Sequence, residues 1–231
     1  MNPSNVLILP GWQNSGSEHW QSRWERTHGY TRVEQHDWMR PLRGDWIARL
    51  EEVLLSRDVE RDGPVVLVAH SLGCMLTAAW AAHSRNTRCV QAALLVAPPD
   101  VERGELRQML PSWAPVPRRV LPFPTVLFAS SDDPFCSLAR AREFAGAWGA
   151  DFIDVGPRGH LNAESGLGEW PQAHGVLQSL GGSLGKRGFI HVESWHLGWD
   201  GLQGGFCGKY REYLQENQRS RPPKPGDHEP R

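Results

Sequence analysis

Residues 65–73 read Val-Val-Leu-Val-Ala-His-Ser-Leu-Gly, and no other stretch constrains the fold of this chain as tightly. Val65, Val66, Leu67, Val68 and Ala69 are apolar without alternation, the pattern of a strand buried on both faces of a parallel sheet. The run stops at His70-Ser71, and Cys74-Met75-Leu76-Thr77-Ala78-Ala79-Trp80 continues as a helix. A serine at such a corner lifts its hydroxyl clear of the sheet only if the turn is sharp, and a sharp turn leaves no room for large side chains two residues either side. Ala69 and Gly73 meet that condition. The pattern small-x-Ser-x-Gly arises by chance in about one chain of this length in six, so its place between strand and helix is what singles out Ser71 as a candidate nucleophile.

The rest of the chain supplies the sheet that this strand needs. Short β-type runs at residues 5–9, 32–37, 90–97, 125–130 and 152–155 alternate with helical patterns at 18–27, 45–55, 72–83, 137–148 and 170–180. That alternation predicts an α/β fold of three layers, a compact, mostly parallel sheet of about six strands flanked by helices. The 32–37 run is the most polar and is placed nearest an edge. Ser17 is the predicted N-cap of the first helix. Residues 99–123, with Pro99, Pro111, Pro115, Pro117 and Pro122, show no strong period and read either as a compact lid or pocket wall or, equally, as a plain surface crossover. Beyond Gly181 glycine becomes dense and the end is rich in proline and charge, so the reading is one catalytic domain over 1–180 and a poorly ordered extension over 181–231, with at most a short helix at 209–217.

Composition excludes several functions. Lys and Arg number 25 against 26 Asp and Glu, a net charge of −1, which gives no field to favour nucleic acid or an anionic membrane. Cys74, Cys89, Cys136 and Cys207 form no Cys-x-x-Cys pair and no zinc spacing, so reduced thiols in a cytoplasmic protein are expected, with no metal. Residues 6–9 are too short for a signal-peptide core and no run approaches membrane-spanning length. The glycines do not form a dinucleotide or phosphate loop, so no cofactor is implied. Of 11 tryptophans most are expected in the core, while Trp12, Trp38 and Trp113, in loops, are candidates to line a substrate pocket.

A serine nucleophile requires a base and the base an orienting acid; in hydrolases built on such a sheet the chain order is Ser, Asp or Glu, His. After the fifth strand comes Ser130-Ser131-Asp132-Asp133-Pro134, and after the sixth Gly156-Pro157-Arg158-Gly159-His160. Both lie at carboxyl ends of strands, where parallel sheets form their sites. His160 is the candidate base. Asp133 is the preferred acid, because the Pro-Phe that follows carries the chain away; Asp132 is the alternative, or a turn cap. The oxyanion donors are expected to be the backbone NH of Leu72, at the start of the helix, and that of Trp12, after Gly11. His70 is expected to pack beneath a neighbouring loop, and His19, His36, His83 and His174 to be structural.

The motifs together resemble a known family. Leu9-Pro10-Gly11 with Ser17-Glu18-His19-Trp20, Gln35-His36-Asp37-Trp38 with Pro41 and Trp46, Ala69-His70-Ser71-Leu72-Gly73-Cys74, Ser131-Asp132-Asp133-Pro134 and Gly159-His160-Leu161-Asn162, then Ser165-Gly166-Leu167-Gly168 and Trp170-Pro171, make most of residues 5–180 similar to the small serine hydrolases related to retinoblastoma-binding protein nine and the bacterial YdeN-like proteins. The resemblance implies the α/β-hydrolase fold, a triad of Ser71, Asp133 and His160, and hydrolysis of small carboxylic esters without a cofactor. Ala69 departs from the glycine usual there, and the chain has no Leu-x-Cys-x-Glu sequence, so retinoblastoma binding is not carried over. The expected activity is a serine esterase acting through an acyl-enzyme on a small-molecule acyl substrate. The competing readings are an amidase or thioesterase with the same triad, and a hydrolase-fold binding protein without turnover.

Overall fold

The unbroken apolar run at the centre of the chain becomes β3 (Val65–His70), buried along its whole length. A computed structural model describes residues 2–182. Around β3 lie β1 (Val6–Leu9), β2 (Thr31–Arg32), β4 (Val90–Val96), β5 (Thr125–Ala129) and β6 (Asp151–Asp154), in the order β2-β1-β3-β4-β5-β6. Every neighbouring pair is parallel, so all carboxyl ends share one edge. Alternate residues sort to the two faces. Leu7, Leu9, Leu67, Ala69, Leu95 and Leu127 join one core with Trp46, Leu50, Trp80 and Phe144, while from the opposite face Phe128 packs edge-on against Trp170 at 5.4 Å.

The helices are α1 (Trp20–His28), α2 (Arg43–Leu55), α3 (Val59–Asp62), α4 (Leu72–His83), α5 (Gly104–Met109), α6 (Leu138–Trp148) and α7 (Pro171–Gly182). The helix α4 is buried from Leu72 to Trp80, as the apolar sequence after Ser71 requires. Among the described residues no helix is long and apolar enough to cross a membrane.

Three boundaries differ from the sequence expectation. The first helix begins at Trp20, and His19 rather than Ser17 is its N-cap, Nδ1 accepting from the Gln21 amide at 3.2 Å. Ser17 instead offers its carbonyl to the Arg26 guanidinium. The polar edge strand shrinks to two residues, followed by one more ladder bond from the Val33 amide to Ile8. Further on, Asp37 turns its carboxylate onto the Met39 and Arg40 amides, closing a turn in place of a strand. Third, residues 99–123 hold α5 and a 3-10 turn at Pro111–Trp113. Residues 181 and 182 complete α7; the expected extension and its short helix otherwise lie outside the described residues.

Candidate active site

The corner between β3 and α4 places Ser71 at φ 53°, ψ −121°, a conformation that non-glycine residues rarely adopt and that survives only where the surroundings hold it. The Ser71 amide donates to the Val96 carbonyl at 2.9 Å, tying the corner to β4. Two glycines make room for it. A β-carbon on Gly73 would lie 2.3 Å from the Leu9 carbonyl oxygen, and one on Gly11 would lie 2.7 Å from Ser71 Cβ and 3.2 Å from its Oγ. The loop after β1 therefore crosses directly over the candidate nucleophile.

The structure brings Ser71, His160 and Asp133 together from the ends of β3, β6 and β5. His160 Nε2 lies 2.8 Å from Ser71 Oγ. Its Nδ1 lies 3.0 and 2.9 Å from the two Asp133 carboxylate oxygens. Asp133 Oδ1 also accepts from the Phe135 amide at 2.9 Å, which sets the carboxylate's orientation. The side chains of His160 and Asp133 are 10% and 3% exposed, so the charge is shielded from water and its hydrogen bonds are strengthened. With Nδ1 facing a carboxylate it is the donor, which leaves Nε2 as acceptor for the serine proton.

Asp132 does other work. It accepts from Ser130 Oγ and from the Gly159 amide, both at 2.7 Å, and so holds the residue preceding His160. Burial raises its pKa, but bonds from Ser130, Gly159 and Arg158 outweigh burial, and the net direction is down. Ser130 Oγ further accepts from the Arg158 amide at 2.8 Å. On the far side of His160, the buried Leu161 stands at φ 49° and its carbonyl accepts from Trp20 Nε1 at 2.9 Å.

Two buried histidines complete the surroundings, and neither connection was legible in the sequence, where His70 and His160 are far apart. His70 Nε2 lies 2.9 Å from the His160 main-chain carbonyl. Its ring meets that of His19 edge-on at 4.6 Å and that of His160 at 4.9 Å. Burial, then the neighbouring His19 and His160, push the His70 pKa well below 6.5. Burial, then His160 and Arg32, lower that of His19 to about 3. Beneath the corner, burial drives the Cys74 thiol far above its ordinary range, so it is an inert neighbour.

Among the described residues neither the Trp12 nor the Leu72 main-chain NH has an acceptor. Trp12 and Trp38 are half-buried: Trp12 Nε1 donates to the Met39 carbonyl at 3.1 Å, and the Trp38 carbonyl accepts from the Gln13 amide at 3.1 Å. Trp113 departs from the pocket expectation. It is 1% exposed, donates to the Pro41 carbonyl at 2.8 Å and packs edge-on against Trp46, because its indole completes the core under α2. Among the described residues no group of three or more His, Cys, Asp or Glu side chains could hold a metal ion.

The family model for serine hydrolases matches residues 6–179. The chain belongs to the serine hydrolase family. Among solved structures this serine hydrolase is similar to one described as a YdeN-like hydrolase from Pectobacterium atrosepticum, with 30% identity over 77% of this chain and 89% of that one, at a TM-score of 0.64. It also shares its fold with the ydeN gene product of B. subtilis, at 21% identity, coverage of 78% and 99%, and a TM-score of 0.61. Esterase 2 of Thermogutta terrifontis is similar in fold at 16% identity, coverage of 80% and 84%, and a TM-score of 0.57. These neighbours place this serine hydrolase in the α/β-hydrolase fold. No curated protein sequence matches it.

Proposed function

We propose that this chain hydrolyses small carboxylic esters through an acyl-enzyme on Ser71. The observation that carries the reading is the continuous contact from Ser71 Oγ through the His160 ring to both oxygens of Asp133. In the first half-reaction the Ser71 oxygen bonds to the acyl carbon while its proton passes to His160 Nε2. Asp133 holds the neutral ring in the tautomer with Nδ1 protonated and balances the cation that forms. Collapse of the tetrahedral intermediate breaks the bond to the alkoxy leaving group, which takes the proton from Nε2. Water then repeats the sequence on the acyl-enzyme, releasing the acid and restoring Ser71.

The negative oxygen of each intermediate needs donors that are already oriented. The unengaged amides of Trp12 and Leu72 support the assignment of that role, the latter because it opens α4, where the helix dipole adds positive potential. Trp12 and Trp38 would offer apolar faces to the acyl or alkoxy group.

Reaction with a fluorophosphonate tests the nucleophile: wild type should be labelled on Ser71, and Ser71→Ala should not. Labelling of Ser71→Ala to the wild-type extent would defeat the proposal. Rates on matched ester, thioester and amide substrates test the substrate class, with the ester expected to be fastest.

A further inference from the structure

His70 and Ser71 are consecutive, and both bind His160, one by its main chain and the other by its ring. Ser71 Oγ meets the imidazole Nε2 at 2.8 Å and His70 Nε2 meets the His160 carbonyl at 2.9 Å. A carbonyl oxygen only accepts, so His70 Nε2 carries the proton. We propose that His70 is a positioning residue for the reaction assigned to Ser71, on which reading it rests: it sets the height and tilt of the His160 ring by holding that residue's backbone.

The loop that bears His160 needs such a hold. Gly159 and Leu161, its two neighbours, stand at φ 61° and 49°, and a non-glycine residue keeps a left-handed conformation only where several contacts impose it. Asp132 grips the Gly159 amide and Trp20 the Leu161 carbonyl. His70 grips the residue between them. Because His70 is 5% exposed, water cannot easily replace its donor, and its removal leaves the His160 carbonyl short of a partner at the point where the ring must be held steady.

The choice of an imidazole for this donor also follows from charge. The His70 ring lies 4.9 Å from the ring that becomes a cation during turnover. A lysine or arginine making the same bond would set a permanent positive charge against that cation, whereas His70, kept neutral by burial and by His19 and His160 beside it, donates without opposing it. His19 backs the arrangement edge-on at 4.6 Å and is itself held neutral.

The test compares His70→Gln, His70→Asn and His70→Leu in the full chain. Three quantities are read: kcat and KM for 4-nitrophenyl acetate, and the low-field proton resonance of His160 Nδ1–H, assigned by its loss in His160→Gln. Glutamine extends a neutral N–H far enough to reach the carbonyl and should keep kcat within a few-fold. Asparagine, one methylene shorter, and leucine should lose on the order of a hundredfold in kcat at little change in KM, the cost of a misplaced base, and should broaden the resonance. Folded asparagine or leucine variants with wild-type kcat, or with an unaltered resonance, would overturn the proposal, as would equal losses for glutamine and asparagine. If His70→Leu does not fold, the glutamine and asparagine pair decides. Wild-type protein that neither hydrolyses the ester nor takes fluorophosphonate on Ser71 would instead remove the reading of Ser71, and the resonance would still report whether His70 holds His160.

Discussion

Gly73 lies so close to Leu9 that any β-carbon there would stand 2.3 Å from the Leu9 carbonyl oxygen and 3.0 Å from its carbon. Both obstacles are main chain and cannot swing aside, so Gly73→Ala must displace either α4 or the loop that carries Trp12. An overpacked site of this kind costs about 1–3 kcal/mol, and the displacement falls on the two candidate oxyanion donors. Fluorophosphonate labelling of Ser71 should therefore drop further than the unfolded fraction explains, with urea denaturation run in parallel to separate the two. Gly11→Ala directs its clash at Ser71 itself, 2.7 Å from Cβ, and should lower labelling at a smaller cost in stability.

Asp132 and Asp133 are adjacent carboxylates with separable effects. Asp133→Asn leaves the shape intact but offers His160 an amide, which favours the wrong tautomer; kcat for ester hydrolysis should fall about 10⁴-fold. Asp132→Asn keeps an oxygen to accept from Gly159 and should stay within several-fold of wild type, while Asp132→Ala frees the loop and loses more. Equal defects in Asp132→Asn and Asp133→Asn would show that the two acids are not divided in this way.

The meeting of Ser71, Asp133 and His160, the candidate triad, was legible because each stands at the end of a strand that its own neighbours specify, and because parallel strands bring those ends to one edge. Ser71 even declares its corner, through Ala69 and Gly73. The division between Asp132 and Asp133 was less legible, since it depends on which carboxylate meets Gly159 and which meets the His160 ring. The bond from His70 to the His160 carbonyl had no local signal, because residues distant in the chain are joined only by the closing of the sheet. Helix α1 is capped by His19 and not by Ser17 for a similar reason: Arg26 engages the Ser17 carbonyl, while Gln21 reaches inward to the Leu9 and Val68 carbonyls. Trp113 was misplaced because a proline-rich segment looks like loop, yet Pro41 and Trp46 take its indole into the core.

Glu102 ties the segment of residues 99–123 to α6. Its carboxylate accepts from the Val116 amide and Arg118, each at 2.8 Å, and pairs with Arg140; both guanidiniums also lie over the Phe144 ring, at 4.8 and 4.9 Å. Glu102→Gln removes the charge that draws the two arginines together. It should lower stability by about 1.5–3 kcal/mol, the range for hydrogen bonds to charged groups. If this segment walls the substrate site, KM for the ester should rise with kcat preserved. An unchanged KM in a measurably destabilised variant would make the segment a plain crossover.

Acid should weaken this fold before its carboxylates titrate. His19 is held in the folded state at about 3, against an ordinary value of 6.5, and His70 is lowered in the same direction. Below pH 6.5 the unfolded chain therefore binds protons that the folded chain refuses, so stability is full above that pH and declines as pH falls toward 3. For His19 the slope approaches about 1.4 kcal/mol per pH unit between those two values, which amounts to about 1.6 kcal/mol between pH 6.5 and 5. His19→Asn isolates this contribution. Asparagine is a strong N-cap and can keep the bond that His19 now makes to the Gln21 amide, yet it does not titrate, and it removes the imidazole Nε2 that is buried without a partner. Urea midpoints at pH 7.5 and 5 should differ less in His19→Asn than in wild type, with the variant gaining most at the lower pH. Identical pH dependence in the two proteins would mean that His19 is protonated in the folded state and that its burial is not the source of acid sensitivity.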